Sequence, residues 1–180
     1  MGKLNVQRIT LAAMLASLAG VTKIIFQATT LADYRFSLYE IPLIITGIIL
    51  GPLMGLVVGF TADWVYAMTF GYGLNLMTVT TMMWGFLAGV FFYKRKVTLL
   101  KMIIFMPIAS LIAFSINSVQ LALWSGWLGM LGNIPIRVAI LLLSLPVQVY
   151  LVHMIYHRVV LQSELELVSR ETYIPAKEKN

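Results

Sequence analysis

Two arginines and a set of neutral polar side chains carry what binding chemistry this chain has. Arg35, within Asp33-Tyr34-Arg35, has the planar fork that grips a carboxylate through two parallel hydrogen bonds, and Arg137 offers a second such group later in the chain. An ion pair of Arg35 with Asp33 or Glu40 is the plainer alternative. Asn75, Thr78, Asn117 and Gln120 add uncharged donors and acceptors, while Tyr34, Tyr72 and Trp124 add aromatic faces. A few polar groups set among aromatic walls suit a small-molecule pocket. Taken alone, the aromatics equally fit the belt that lines any membrane–water boundary.

Reaction chemistry finds no comparable set. His153 and His157 are the only histidines, and nothing near them in sequence completes a triad or a metal site. There is no cysteine, hence no disulfide or thiolate ligand, and no GxxxxGK[ST] loop for a nucleotide. No catalytic residue, metal or cofactor is expected, and ATP-driven work would need a separate ATPase.

The elements that must position these residues are apolar. The 180 residues are 60% hydrophobic and 11% charged, far from the roughly one-quarter charged composition of soluble domains. The length suits one bundle of about five to seven spanning helices. A net charge of +6 does not point to nucleic acid, because the Lys and Arg residues gather at the ends of apolar runs, where they orient the chain and meet anionic lipid. Residues 1–20 resemble a secretory leader but run on to Phe26 with no cleavage pattern, so they are read as a retained first helix.

Apolar stretches lie at about 9–27, 39–70, 76–93, 98–125 and 134–156. The second is ~48 Å as one helix, too long for a single span. Gly51-Pro52 divides it, since proline disfavours helix at the preceding residue. That division puts Lys94, Arg95 and Lys96 on the same side as Lys3 and Arg8, as the positive-inside rule requires. The expected fold is therefore an all-α membrane bundle of six helices over residues 1–160, with cytoplasmic termini and a cytoplasmic tail at 161–180. Asp33-Tyr34-Arg35 and the loops at 70–75 and 126–133 are then expected to face outward. Lys23 and Asp63 fall inside spans and are expected to pair rather than to relay ions. In the first helix Ala12, Ala16 and Gly20 form a small-residue stripe that permits close helix approach, either within the bundle or to another membrane subunit.

This pattern resembles the substrate-binding S components of energy-coupling factor (ECF) vitamin transporters, specifically the folate-type group. The resemblance covers residues 7–156. It rests on Ala12-x-x-x-Ala16, on Arg35-Phe36-Ser37-Leu38-Tyr39-Glu40-Ile41-Pro42 followed by Gly47, Gly51-Pro52, Gly55, Gly59 and Ala62-Asp63, and on Ile134-Pro135-Ile136-Arg137. It departs at Gly71-Tyr72-Gly73-Leu74-Asn75, where folate-type members carry an aromatic-Pro-Gly-Phe-Thr stretch.

The resemblance implies a multi-pass subunit in a bacterial cell membrane. That subunit would bind a water-soluble vitamin, dock a transmembrane coupling subunit through the alanine stripe and be driven by two ABC ATPases. Folate is the family's default ligand and pantothenate, also a carboxylate, the second. Hydroxymethylpyrimidine or a pyridoxine-type vitamin is the alternative within the family, and an ion-coupled secondary carrier the alternative outside it.

Overall fold

The computed structural model describes residues 6–29, 38–71, 73–95 and 97–160, the side chains of 27–29 and 159–160 excepted. Every regular element among them is helical. In order these are α1 (Val6–Thr29), α2 (Glu40–Leu50), α3 (Pro52–Phe70), α4 (Leu76–Phe92) and α5 (Leu99–Ile155), followed by one turn of wider π-helix at Tyr156–Val160. α1, α3 and α5 are long and apolar enough to cross a membrane; α2 and α4 are shorter apolar helices. The tail at 161–180 lies outside the described residues.

The division at Gly51-Pro52 is where the sequence places it. Gly51 takes φ 93°, open to a residue without a Cβ, and its N–H caps α2 at the Gly47 carbonyl (3.0 Å). Pro52 then begins α3 at a position whose N–H has no helical partner in any case.

The expected outward loop at 126–133 is not there. α5 runs to Ile155 with a single non-helical residue, Gly126 (φ 73°, ψ 169°). Gly129, Gly132 and Asn133 read as loop residues in the sequence but lie inside helix. The run around them is apolar, and in hydrocarbon an unpaired backbone costs more than a glycine's poor helix propensity. α5 thus has two arms, 99–125 and 127–155, and five helical elements stand where six were expected. Pro107, Pro135 and Pro146 are carried inside these arms.

Glycines set how closely the helices pack. α4 lies against α2, α3 and α5. A Cβ on Gly85 would sit 2.4 Å from the Gly55 carbonyl oxygen, and one on Gly47 2.3 Å from the Gly85 oxygen. Gly47, Gly55, Gly59 and Gly89 make the same kind of backbone contact with their neighbours, so the glycine motif of the α2–α3 region is the surface on which α4 rests. Hydroxyls that would otherwise be stranded, such as those of Ser17, Thr46 and Thr61, donate to the carbonyl four residues back.

Ala12 and Ala16 are 7% and 8% exposed and belong to the core. A Cβ on Gly20 would lie 3.5 Å from the Ala62 carbonyl of α3. Ala12, Ala16 and Gly20 therefore turn inward, Gly20 against α3, while Ala13 and Ser17 occupy the outer face of α1.

Candidate functional site

A cavity of about 260 Å³ opens between α1, the start of α2, α4 and both arms of α5. The first arm contributes Ser110, Phe114, Asn117 and Trp124 at helical spacing, and the second contributes Asn133, Arg137, Ser144 and Gln148. Lys23, Tyr39, Glu40 and Trp84 line the remaining sides. Trp84 is only 3% exposed, so it is a wall of the interior rather than part of a boundary belt.

Arg137 lines this space as a second cation beside Lys23. One of its N–H groups donates to the Ser118 hydroxyl at 3.0 Å, and the guanidinium lies 4.5 Å over the Phe114 ring. It makes no ion pair among the described residues. Four of its five N–H donors remain after the Ser118 bond, enough for the bidentate grip of a carboxylate. Because the helix restarts at residue 127, Arg137 lies eleven residues past the break rather than at a helix end.

Lys23 is differently placed. Its ammonium pairs with Asp63 and donates to the Thr81 hydroxyl at 3.0 Å. The Tyr39 and Tyr66 rings flank it at 4.9 and 4.7 Å. Asp63 is 3% exposed. The expected bridge between α1 and α3 is present. Next to it, Gln148 donates to the Glu40 carboxylate at 3.4 Å, joining α2 to the second arm of α5.

Of the residues expected to touch a ligand, Asn117, Trp124 and Arg137 line the cavity. Asn75 and Thr78 instead form the capping box that starts α4: the Asn75 side chain accepts from Met77 N–H (2.8 Å), and the Asn75 N–H donates to the Thr78 hydroxyl (3.3 Å). Gln120 accepts from the Leu76 N–H at 3.0 Å and ties α5 to the same helix start. Asn75 does line a small adjoining space of about 40 Å³ with Lys23 and Asp63. Asn117 also accepts from Thr80, at 2.9 Å. Tyr34, Arg35 and Tyr72 lie outside the described residues.

Sequence reasoning missed Glu40, Ser144 and Gln148 as cavity residues. A signal was present: Asn133, Arg137, Ser144 and Gln148 fall at intervals of four, seven and four along an apolar helix, which puts them on one face.

An all-helical membrane chain whose polar side chains converge on an interior cavity belongs to the class of membrane-embedded small-molecule binders. More particularly, the chain belongs to the ECF-type riboflavin transporter S component family, whose model matches residues 3–157. Its fold is similar to that in the crystal structure of FolT bound with folic acid, at 21% identity and a TM-score of 0.72, over 84% of this chain and 93% of that one. No curated protein matches the chain. It is thus a multi-pass membrane protein and the substrate-binding subunit of a vitamin transporter, not an enzyme in its own right.

Proposed function

We propose that this S component binds a water-soluble vitamin carrying a carboxylate, with folate first and pantothenate second. The observation that carries the reading is Arg137, which faces the cavity with no ion-pair partner among the described residues. Riboflavin, which names the family, has no carboxylate to offer it. Arg35, which precedes α2 in the sequence and lies outside the described residues, is the second arginine whose chemistry suits a carboxylate. Hydroxymethylpyrimidine and pyridoxine-type vitamins leave both arginines unused. An ion-coupled carrier is disfavoured because Lys23 and Asp63, the charges deepest in α1 and α3, neutralise each other. Mass spectrometry of small molecules that co-purify with the chain tests the reading: a carboxylate-bearing vitamin is expected, and a neutral one would contradict it.

In this reading the chain crosses the membrane six times, with α2 a short segment and each arm of α5 one crossing, and both termini face the cytoplasm. Uptake then requires a transmembrane coupling subunit and two ABC ATPases. The docking face lies on α1, where Ala13 and Ser17 are the small residues turned outward beside the buried Ala12, Ala16 and Gly20. Ser17→Trp should leave vitamin affinity of the isolated chain within about twofold yet abolish ATP-dependent uptake in proteoliposomes holding the coupling module, since a bulky side chain blocks close helix approach. Wild-type uptake by the chain alone, driven by an imposed ion gradient, would contradict the assignment.

A further inference from the structure

We infer that Trp84 and Ser110 are specificity-determining residues of this cavity: they hydrogen-bond an uncharged amide that the ligand carries about one helical turn from its carboxylate. The inference rests on the cavity being the vitamin site and deepens that reading by naming a second recognised group. Both residues line the cavity and both are more than nine-tenths buried, Trp84 at 3% exposure and Ser110 at 6%. Neither the indole N–H nor the hydroxyl has a hydrogen-bond partner among the described residues. The other buried hydroxyls are engaged. Thr46, Thr80, Thr81 and Ser144 donate to helix carbonyls three or four residues back, and Thr78 accepts from the Asn75 N–H. A buried indole N–H is ordinarily bonded as well. Two polar groups left open on one cavity wall are places where a ligand supplies the missing partner.

The two groups lie close together on facing helices. Antiparallel α4 and the first arm of α5 are held in register by Leu76 on Gln120 (3.0 Å), Thr80 on Asn117 (2.9 Å) and the rings of Phe92 and Phe105 (centroids 5.0 Å apart). That register sets Trp84 opposite Ala113, three residues from Ser110, or ~4.5 Å along the helix. The Arg137 guanidinium lies over Phe114, four residues from Ser110 and ~6 Å along the same axis.

Chemistry then selects the group. An indole N–H only donates, whereas a hydroxyl donates or accepts. An amide matches both, its carbonyl accepting from Trp84 and its N–H donating to Ser110, and it brings no charge for burial to penalise. One or two carbons between an amide and a carboxylate span about one to two residues of extended chain, at ~3.5 Å each, which brackets the step from Ser110 to Phe114. The ligand class is therefore an N-acylated α- or β-amino acid, with its carboxylate on Arg137 and its amide between Trp84 and Ser110.

The test is equilibrium binding of two small acids to the purified full chain. One is hippurate, N-benzoylglycine; the other is 4-phenylbutanoate, which keeps the ring, the charge and the chain length but has two methylenes in place of the amide. Wild-type protein should bind hippurate at least about tenfold more tightly, because 4-phenylbutanoate, though more apolar, leaves both buried groups unmatched. Trp84→Phe and Ser110→Ala should each weaken hippurate about two- to tenfold, the loss of one neutral hydrogen bond, and leave 4-phenylbutanoate within about twofold. A residue that only shapes the wall would weaken both acids alike. The comparison of the two acids uses unaltered protein, so it stands even if a variant does not fold. Equal wild-type affinities, or tighter binding of 4-phenylbutanoate, would overturn the inference. So would failure of hippurate to bind, no weakening of it by either substitution, or equal weakening of both acids. In each of these cases the carboxylate reading survives if folate or pantothenate binds and Arg137→Gln weakens that binding; if neither vitamin binds, both fall.

Discussion

Asp63→Ala should lower the stability of the detergent-solubilised chain by about 3–5 kcal/mol, the cost of leaving one member of a buried ion pair alone. Lys23 and Asp63 are 9% and 3% exposed, so solvent cannot replace the lost partner. Thr81 would remain, donating to no carboxylate and offering the ammonium one neutral oxygen. The tyrosine faces at 4.7 and 4.9 Å soften the loss without cancelling the charge. Removing both charges together, as in Lys23→Met with Asp63→Leu, should recover most of the stability, because apolar residues of similar volume replace a buried pair at little cost. Thermal unfolding of the two single variants and the double variant checks this. A loss below about 1 kcal/mol for Asp63→Ala would mean that the pair behaves as a solvent-exposed one.

A comparable effect is expected from a single methyl group. Gly85→Ala places a Cβ 2.4 Å from the Gly55 carbonyl oxygen, and the obstruction is backbone on both sides, so no rotamer relieves it. Overpacking a core typically costs about 1–3 kcal/mol when side chains can shift; here α3 and α4 must separate instead. The expected result is a severe loss of folded, monodisperse protein. Gly73→Ala is the matched control, since nothing lies within 4 Å of its added Cβ. Equal melting temperatures for the two variants would show that the helices part easily and that the glycine contacts do not hold the bundle.

Helix positions and the Gly51-Pro52 turn were legible in the sequence because hydrocarbon allows few alternatives to helix, and a Gly-Pro pair has a definite backbone meaning. The same constraint made 126–133 misleading. Gly126, Gly129, Gly132 and Asn133 look like a turn, yet only Gly126 leaves helical geometry, and this slides Arg137 away from a helix end. Asn75, Thr78 and Gln120 show a different limit. Their chemistry suits a ligand, but a helix start inside an apolar bundle has unpaired N–H groups of its own, and those claim the nearest acceptors. The alanine stripe of α1 announced close helix contact without saying with which helix; Gly20 meets Ala62 of α3. Ser144 and Gln148 could have been found by setting the polar residues of 133–148 on a helical wheel, where they fall in line with Arg137; Glu40, on α2, carried no such signal.

The most direct test is equilibrium titration of the wild-type chain and Arg137→Gln with folate, pantothenate and hydroxymethylpyrimidine. A carboxylate that accepts from a guanidinium inside the cavity should lose about ten- to a hundredfold in affinity when that donor is removed. The account predicts tight binding of a carboxylate-bearing vitamin by the wild type, with that loss in the variant. Tight binding of hydroxymethylpyrimidine alone, or an affinity unchanged by Arg137→Gln, would contradict it.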